Sequence, residues 1–314
     1  MNNFFPRFIE EVKAPPIKCQ GIKTKLIAFI AQNIQWNGNG RWIEPFLGSG
    51  AVLFNLKPNR ALVSDTNKHI IQFYNDLKSG KLDEKIVRDY LSENGAILSK
   101  QGGDFFYELR NRFNESGGSL EFLFLNRSCF NGLMRFNSDG RYNVPFGHKP
   151  QRFSKAYITK ITNQVAWVRN LIRNKDWEFV TSDYTYALQS TTLEDFIYLD
   201  PPYIGRHADY YNTWSENNAV QMAELIKRTN GGYAISMWYE NRYRKNNYIN
   251  TFWKDEIIEL FNHFYHIGSS EDLRNEMVEA LIIKRGYSAV NKPLKRMEIE
   301  LNFDLSPLPV IAQA

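Results

Sequence analysis

Cysteine is scarce in this chain. Of 314 residues only Cys19 and Cys129 are cysteines, which excludes a disulfide framework and a four-thiolate metal site and points to a reducing compartment. Histidine is nearly as rare, with five, and the two residue types together show no metal-ligand spacing. Long hydrophobic runs are missing as well. The longest unbroken one, Leu26 to Ala31, is far too short to span a bilayer, and MNNFFPRFIEEV at the N-terminus lacks the apolar stretch of a secretory leader. A cytoplasmic protein is expected. No internal repeat or low-complexity tract stands out.

Nor is either sign of charge in large excess: 39 Lys and Arg face 34 Asp and Glu, a net +5. That balance permits polyanion binding without establishing it. The distribution says more. Between Asn126 and Asp176 ten bases meet only two acids, a local +8, while the remainder holds 29 bases and 32 acids. A solvated helix face would give the same count, so charge alone does not decide between that and a nucleic-acid surface. What the chain does have is core material: 43% apolar residues and 15% aromatics, enough for one large domain or a main domain with an insertion.

WIEPFL at 42–47 runs apolar into GSG and then AVLFNL, the pattern of a strand, a tight turn and a helix. A second strand is expected at Ala61 to Ser64, ending at Asp65, which completes a unit of the kind that builds parallel sheets around a nucleotide-like ligand. Further strands are expected at Phe196 to Leu199, Tyr233 to Ser236, Phe264 to Gly268 and Val278 to Lys284, the last two pairing antiparallel at the sheet edge. Lys68 to Pro150 is different in character. It is helical and aromatic, then rich in Asn, Gly and Arg, with SDG at 138–140 signalling a hairpin. An inserted domain at 68–150 is therefore expected within a main domain at 1–67 and 151–288, followed by a tail at 289–314 without clear periodicity.

Two motifs carry chemistry. In EPFLGSGA, Glu44 to Ala51, Gly48 and Gly50 let a ligand approach the backbone, and Asp65 is placed to bind a ribose hydroxyl pair. An ordinary tight turn would look the same, and the spacing suits nicotinamide cofactors as well as S-adenosylmethionine. Asp200-Pro201-Pro202-Tyr203 is more specific. It ends an apolar strand with a carboxylate, a rigidly aimed carbonyl at Pro201 and a ring at Tyr203. Those groups can accept both N–H bonds of an exocyclic amine and stack on its base, while the proline pair fixes φ and removes competing donors. A dehydrogenase would leave this motif unexplained. An RNA or protein-amide methyltransferase would share it, whereas a binding module that had lost catalysis would be expected to have lost Asp200 or Tyr203 as well.

EPFLGSG, the downstream Asp65, the block FLFLNRSCFNG…RYNVPFG and then DPPY occur in the order of the Dam-like, D12-class DNA adenine-N6 methyltransferases, which the chain resembles from Pro15 to about Lys284. The resemblance implies an α/β fold: a Rossmann-like, S-adenosylmethionine-dependent methyltransferase sheet with an inserted helical and β-hairpin DNA-recognition domain. It implies catalysis by Asp200, Pro201, Pro202 and Tyr203 on an adenine flipped out of duplex DNA. Cofactor contacts are implied from Cys19, Lys23, Glu44, Phe46, Gly48, Gly50, Asp65, Asp183 and Asp200, although Cys19 stands where the family commonly has an aromatic residue. DNA contacts are implied from Lys18, Arg127, Phe130, Asn131, Leu133, Arg135, Asn143, Pro145 and Lys149. Arg135 is the expected guanine reader and Phe130 the expected wedge. Asn126, Asn131 and Asn143 also read as hairpin supports. No general base is assigned, and His207 after the motif reads as a phosphate contact or structural residue. The phrases PPIKCQGIKTKL, LFLNRSCFNG, AYITKITNQV and DPPYIGRH are most similar to those of restriction-modification methylases with a GATATC site, whereas the Dam-like positions alone imply GATC or another GA-containing site. A monomer, no metal and possible pairing with a companion endonuclease complete the expectation.

Overall fold

The computed structural model describes residues 4–203, 214–241, 244–266 and 274–289. Its centre is a sheet of β1 (Trp42–Glu44), β2 (Arg60–Asp65), β3 (Asp176–Thr181), β4 (Phe196–Leu199), β5 (Gly232–Asn241), β7 (Ile257–His266) and β8 (Arg274–Ile283), with a two-residue β6 (Arg244–Lys245) paired to the end of β5. The order is β3-β2-β1-β4-β5-β8-β7. The first five of these are mutually parallel, and β8 lies antiparallel between β5 and β7. The order reverses between β1 and β4. That is the switch point at which open α/β sheets leave a crevice beyond the carboxyl ends of their strands.

The central strands are buried on both faces. β1 and β4 are buried at every position, as parallel strands covered on two sides must be. One face packs against α1 (Ile27–Asn33) and α2 (Ala51–Leu56), with Trp42, Phe196 and Tyr198 in the same cluster. The opposite face packs against α8 (Tyr184–Gln189), α9 (Glu216–Arg228) and α10 (Asn247–Phe252), through Ile43, Ile197, Leu199 and Ile235. Trp42 stacks between Phe196 and Tyr198 at ring distances of 5.5 and 5.7 Å, which locks β1 to β4.

Between β2 and β3 the chain builds α3 (Lys68–Ser79), α4 (Glu84–Gln101), α5 (Gly103–Ser116), α6 (Ser119–Ser128) and α7 (Lys155–Arg173). Side-chain caps start three of these helices: Asn67 Oδ1 accepts from the His69 amide, Asp83 from Ile86 and Ser154 from Tyr157. Each such cap contributes about 1 kcal/mol. Their apolar stripes join one core with the sheet.

The hairpin expected around SDG is present as a looped-back segment held by isolated bridges, Cys129 with Phe146 and Phe136 with Tyr142, without continuous strands. Asparagine side chains interrupt the ladder. Asn137 Oδ1 accepts from the Asp139 and Arg141 amides and so closes the turn, while Pro145 has no amide to give. A 3-10 turn at Phe130–Gly132 opens the segment. Of the later strands, β7 begins seven residues before the expected Phe264, and Ile267 and Gly268 lie outside the described residues. The N-terminal region meets the far end of the chain: Ile34 bridges Ser288, and the Ala289 amide donates to the Asn33 carbonyl at 2.8 Å. The tail from residue 290 onward and His207 also lie outside the described residues. Among the described residues no helix is long and apolar enough to cross a membrane, and no group of His, Cys, Asp and Glu is placed to hold a metal ion.

Candidate active site

The carboxyl ends of β1, β2 and β4 carry Glu44, Asp65 and Asp200 to one side of the sheet, where they line a cavity of about 410 Å³. The turn after β1 forms its floor. Gly48 and Gly50 adopt φ of +51° and +72°, which L side chains rarely adopt. A Cβ at Gly50 would also run into the Phe54 ring. The Gly48 amide donates to Asp65 Oδ2 and the Asn67 amide to Oδ1, both at 2.8 Å. Each carboxylate oxygen thereby keeps lone-pair capacity for hydroxyl donors. Burial pushes the Asp65 carboxyl up from its ordinary value, against the two amides.

Glu44 is 2% exposed and accepts from Trp42 Nε1 at 2.9 Å. Burial first, then the nearby Asp200 charge, push it up to about 8, with the indole bond opposing. At neutral pH it therefore carries a proton in most molecules and can donate as well as accept. Aromatic groups cover another wall: Phe46 stacks on Tyr184 with ring centroids 5.8 Å apart, and Trp214 meets Phe46 edge-on at 5.5 Å.

At the other end of the cavity Lys23, 3% exposed, directs its ammonium at three side-chain oxygens and at the Gly21 carbonyl, 3.4 Å away. Nζ donates to Tyr203 Oη at 2.6 Å and lies 3.0 Å from Asp200 Oδ1 and 3.6 Å from Glu279 Oε2. Burial acts to lower its pKa, but Asp200, Tyr203 and Glu279 together raise it well above its ordinary value, so Lys23 is charged. Asp200 is pushed up to about 6, chiefly by burial, with Lys23 opposing and Glu279 adding to the rise. Tyr203, raised by burial, remains a phenol. A carboxylate that is ionised at neutral pH and a phenol ring pinned by its hydroxyl therefore face the same space.

The structure brings Cys19, Lys23, Glu44, Phe46, Gly48, Asp65, Asp183, Asp200, Pro201, Pro202 and Tyr203 around this one cavity. Gly50 is not in its wall; it shapes the turn behind, where its amide donates to the Leu47 carbonyl. Asp183 is exposed and caps α8 by accepting from the Thr185 amide at 2.9 Å, so one of its oxygens is engaged locally. The Cys19 thiol, pushed up to about 12 by burial and by Asp65 and Asp200, is no nucleophile at neutral pH.

Residues expected to meet DNA lie apart from the cavity, around the hairpin. Phe130 is 47% exposed, and Asn131, Pro145 and Lys149 are exposed with it. Leu133 and Arg135 are half-buried, and Arg135 Nε donates to Asn143 Oδ1 at 2.8 Å. Arg127 is the exception: it is 4% exposed, with Nη2 donating to Gln164 at 2.7 Å. Its position on α6 turns it inward under α7. Asn126 is fully buried and clasps Lys18, accepting from its amide at 2.8 Å and donating to its carbonyl at 2.9 Å. The hairpin base is thus tied to the segment that supplies Cys19 and Lys23.

Sequence reasoning missed Met134, Tyr198, Trp214, Asn218 and Gln221 in the cavity wall, and Glu279 beside Lys23. Only Glu279 left a signal, an acid inside the apolar run VEALIIK.

The sequence profile of the D12 class of N6 adenine-specific DNA methyltransferases matches residues 20–267. Among individual relatives, the type II methyltransferase M.MjaIII of Methanocaldococcus jannaschii is 29% identical over 213 residues, which span 62% of this chain and 70% of that protein. A DNA adenine methylase of Serratia marcescens is 32% identical over 188 residues, 58% of this chain and 64% of that protein. The type II methyltransferase M1.LlaDCHI of Lactococcus lactis subsp. cremoris is 28% identical over 200 residues, spanning 60% of this chain and 66% of that protein.

Proposed function

The chain belongs to the D12 class of N6 adenine-specific DNA methyltransferases, and on that premise we propose that the 410 Å³ cavity holds S-adenosylmethionine next to an adenine flipped from the duplex. The observation that carries the reading is the meeting, in one cavity, of the Gly48–Asp65 turn with the Lys23–Asp200–Tyr203 cluster. The donor set fits the group. Asp65 takes the ribose hydroxyls, the turn's open backbone admits the ligand, and Phe46, Tyr184 and Trp214 supply an apolar wall for its base. Asp183 is the acceptor proposed for the cofactor's adenine amine. When bound, the sulfonium supplies an electrophilic methyl group.

The chain's own residues do the rest. Asp200 and the Pro201 carbonyl accept the two N–H bonds of the target amine, which turns its lone pair out of conjugation toward the methyl. Tyr203, held through its hydroxyl by Lys23, offers its ring to the base. Extrusion of the base costs a few kcal/mol of stacking and pairing, because the amine cannot reach Asp200 from within the helix. Residues 68–150 form the proposed recognition unit, in which Phe130 enters the stack, Arg135 and Leu133 read bases, and Asn131, Pro145 and Lys149 hold the duplex together with Lys18 from the N-terminal segment. The resemblance of PPIKCQGIKTKL and LFLNRSCFNG to the EcoRV modification methylase supports a GATATC-like site within a restriction-modification pair. The DNA adenine methylase relative supports a Dam-like GATC site as the second reading.

Labelled methyl transfer to duplexes of defined sequence tests this. Label is expected on N6 of adenine in the preferred duplex and to fall about 100-fold or more with Asp200→Asn, the usual loss when a group acting only in the transition state is removed. Label on RNA alone, or undiminished in the variant, would refute the assignment.

A further inference from the structure

Glu279 sits where a carboxylate is costly. It lies on β8 between apolar neighbours and is fully buried. Along that strand Ala280 and Ile282 enter one core, while Leu281 and Ile283 enter the other. By strand alternation Glu279 belongs to the face of Leu281, the side from which Lys23 approaches. A register shift opposite it, between Trp238 and Glu240 of β5, loosens the ladder where the side chain is aimed; such bulges recur beside active sites. Buried charge of this kind persists only when it is paired. Lys23 is a cationic neighbour at 3.6 Å, and it lies nearer to Asp200, at 3.0 Å.

One ammonium therefore serves two carboxylates. A lone Lys23–Asp200 pair would commit Asp200 to the ammonium and weaken it as an acceptor for any other donor. We propose that Glu279 is a positioning residue for methyl transfer: by sharing the Lys23 ammonium it leaves the Asp200 carboxylate available to the target amine. The proposal rests on the reading of Asp200 as that amine's acceptor. Transfer forms the N–C bond, breaks the S–C bond and leaves the nitrogen cationic; one proton then departs to water, and Asp200 holds its N–H until it does.

The groups facing Asp200 are Lys23 and Cys19 from the N-terminal segment, Glu44 from β1, Tyr198 from β4, Tyr203 and Glu279. Glu44 is pushed up to about 8, Cys19 to about 12 and both tyrosines well above their usual range, so Asp200, pushed up to about 6, is the group expected to set an acid limb of activity. Glu279 raises Asp200. Removing its charge must move that limb to lower pH.

Single-turnover methylation of duplex DNA against pH provides the test. Glu279→Gln is expected to bind DNA as the wild type does, to react about tenfold more slowly, and to shift its acid limb downward. Glu279→Asp, which draws the carboxylate back by one methylene, shifts it in the same direction by less. An unmoved limb in both variants, or in Glu279→Asp alone should the glutamine variant not fold, overturns the proposal even if the rates fall, since a purely structural ion pair would do that. Failure of the wild type to methylate adenine in DNA would instead overturn the reading beneath it.

Discussion

Arg135 and Asn143 face each other across the hairpin, Arg135 Nε donating to Asn143 Oδ1 at 2.8 Å and Nη2 to the Asn143 carbonyl at 3.5 Å, which fixes the plane of the guanidinium. A guanidinium whose plane is fixed in this way can turn an edge of paired N–H groups to guanine O6 and N7. Arg135→Ala is expected to cost about 1–3 kcal/mol of discrimination at one base pair. Asn143→Ala should lose part of the same discrimination, because it frees the guanidinium that Asn143 orients. Methylation rates on a panel of single-base site variants measure both. A uniform loss across the panel would make Arg135 a phosphate contact.

Elements fix these residues through a few backbone positions. The turn from β1 into α2 depends on Gly50, where a side chain meets both an unfavourable φ and the Phe54 ring. Gly50→Ala is expected to destabilise the protein by about 2 kcal/mol or more, seen as a lowered melting temperature with weakened cofactor binding. This element was legible in the sequence because glycines in a turn after an apolar run have a physical cause that is local. So were β2, β4 and the strand end at Asp200. The hairpin was legible in its turn but not in its ladder, since Asn137 and Pro145 replace strand pairing by side-chain and loop contacts. Trp214, Asn218 and Gln221 left no trace at all: they reach the cavity from α9 and the segment before it, and only the folded sheet places them opposite Phe46. The burial of Arg127 was not legible, because a sequence counts a charge without showing which side of α6 it occupies.

At the scale of the molecule, the net +5 is made of a +8 segment set against a slightly acidic remainder. Part of that segment turns inward with Arg127, but Arg141 and Lys149 are exposed, as Phe130 is. Inside, Arg152 lies with Arg127 near Lys18, and burial first, with those two charges adding to it, lowers the Lys18 pKa. Neutralising phosphates releases counterions, so DNA binding should weaken steeply as salt rises. Lys149→Ala should reduce the slope of log affinity against log salt by about one and weaken all sequences alike. A sequence-dependent loss would move Lys149 among the base readers.

The pairing of Ile34 with Ser288 and of Ala289 with Asn33 joins positions separated by roughly 250 residues of chain, a loop whose closure costs entropy only logarithmically in its length but must be met before the contact is made. Such a contact has little to gain until the sheet between its ends exists. The seam is therefore a late event in folding. On the ribosome it must wait until residues 288 and 289, beyond β8, have emerged, so the end of α1 spends most of synthesis without the backbone partners it has in the finished fold.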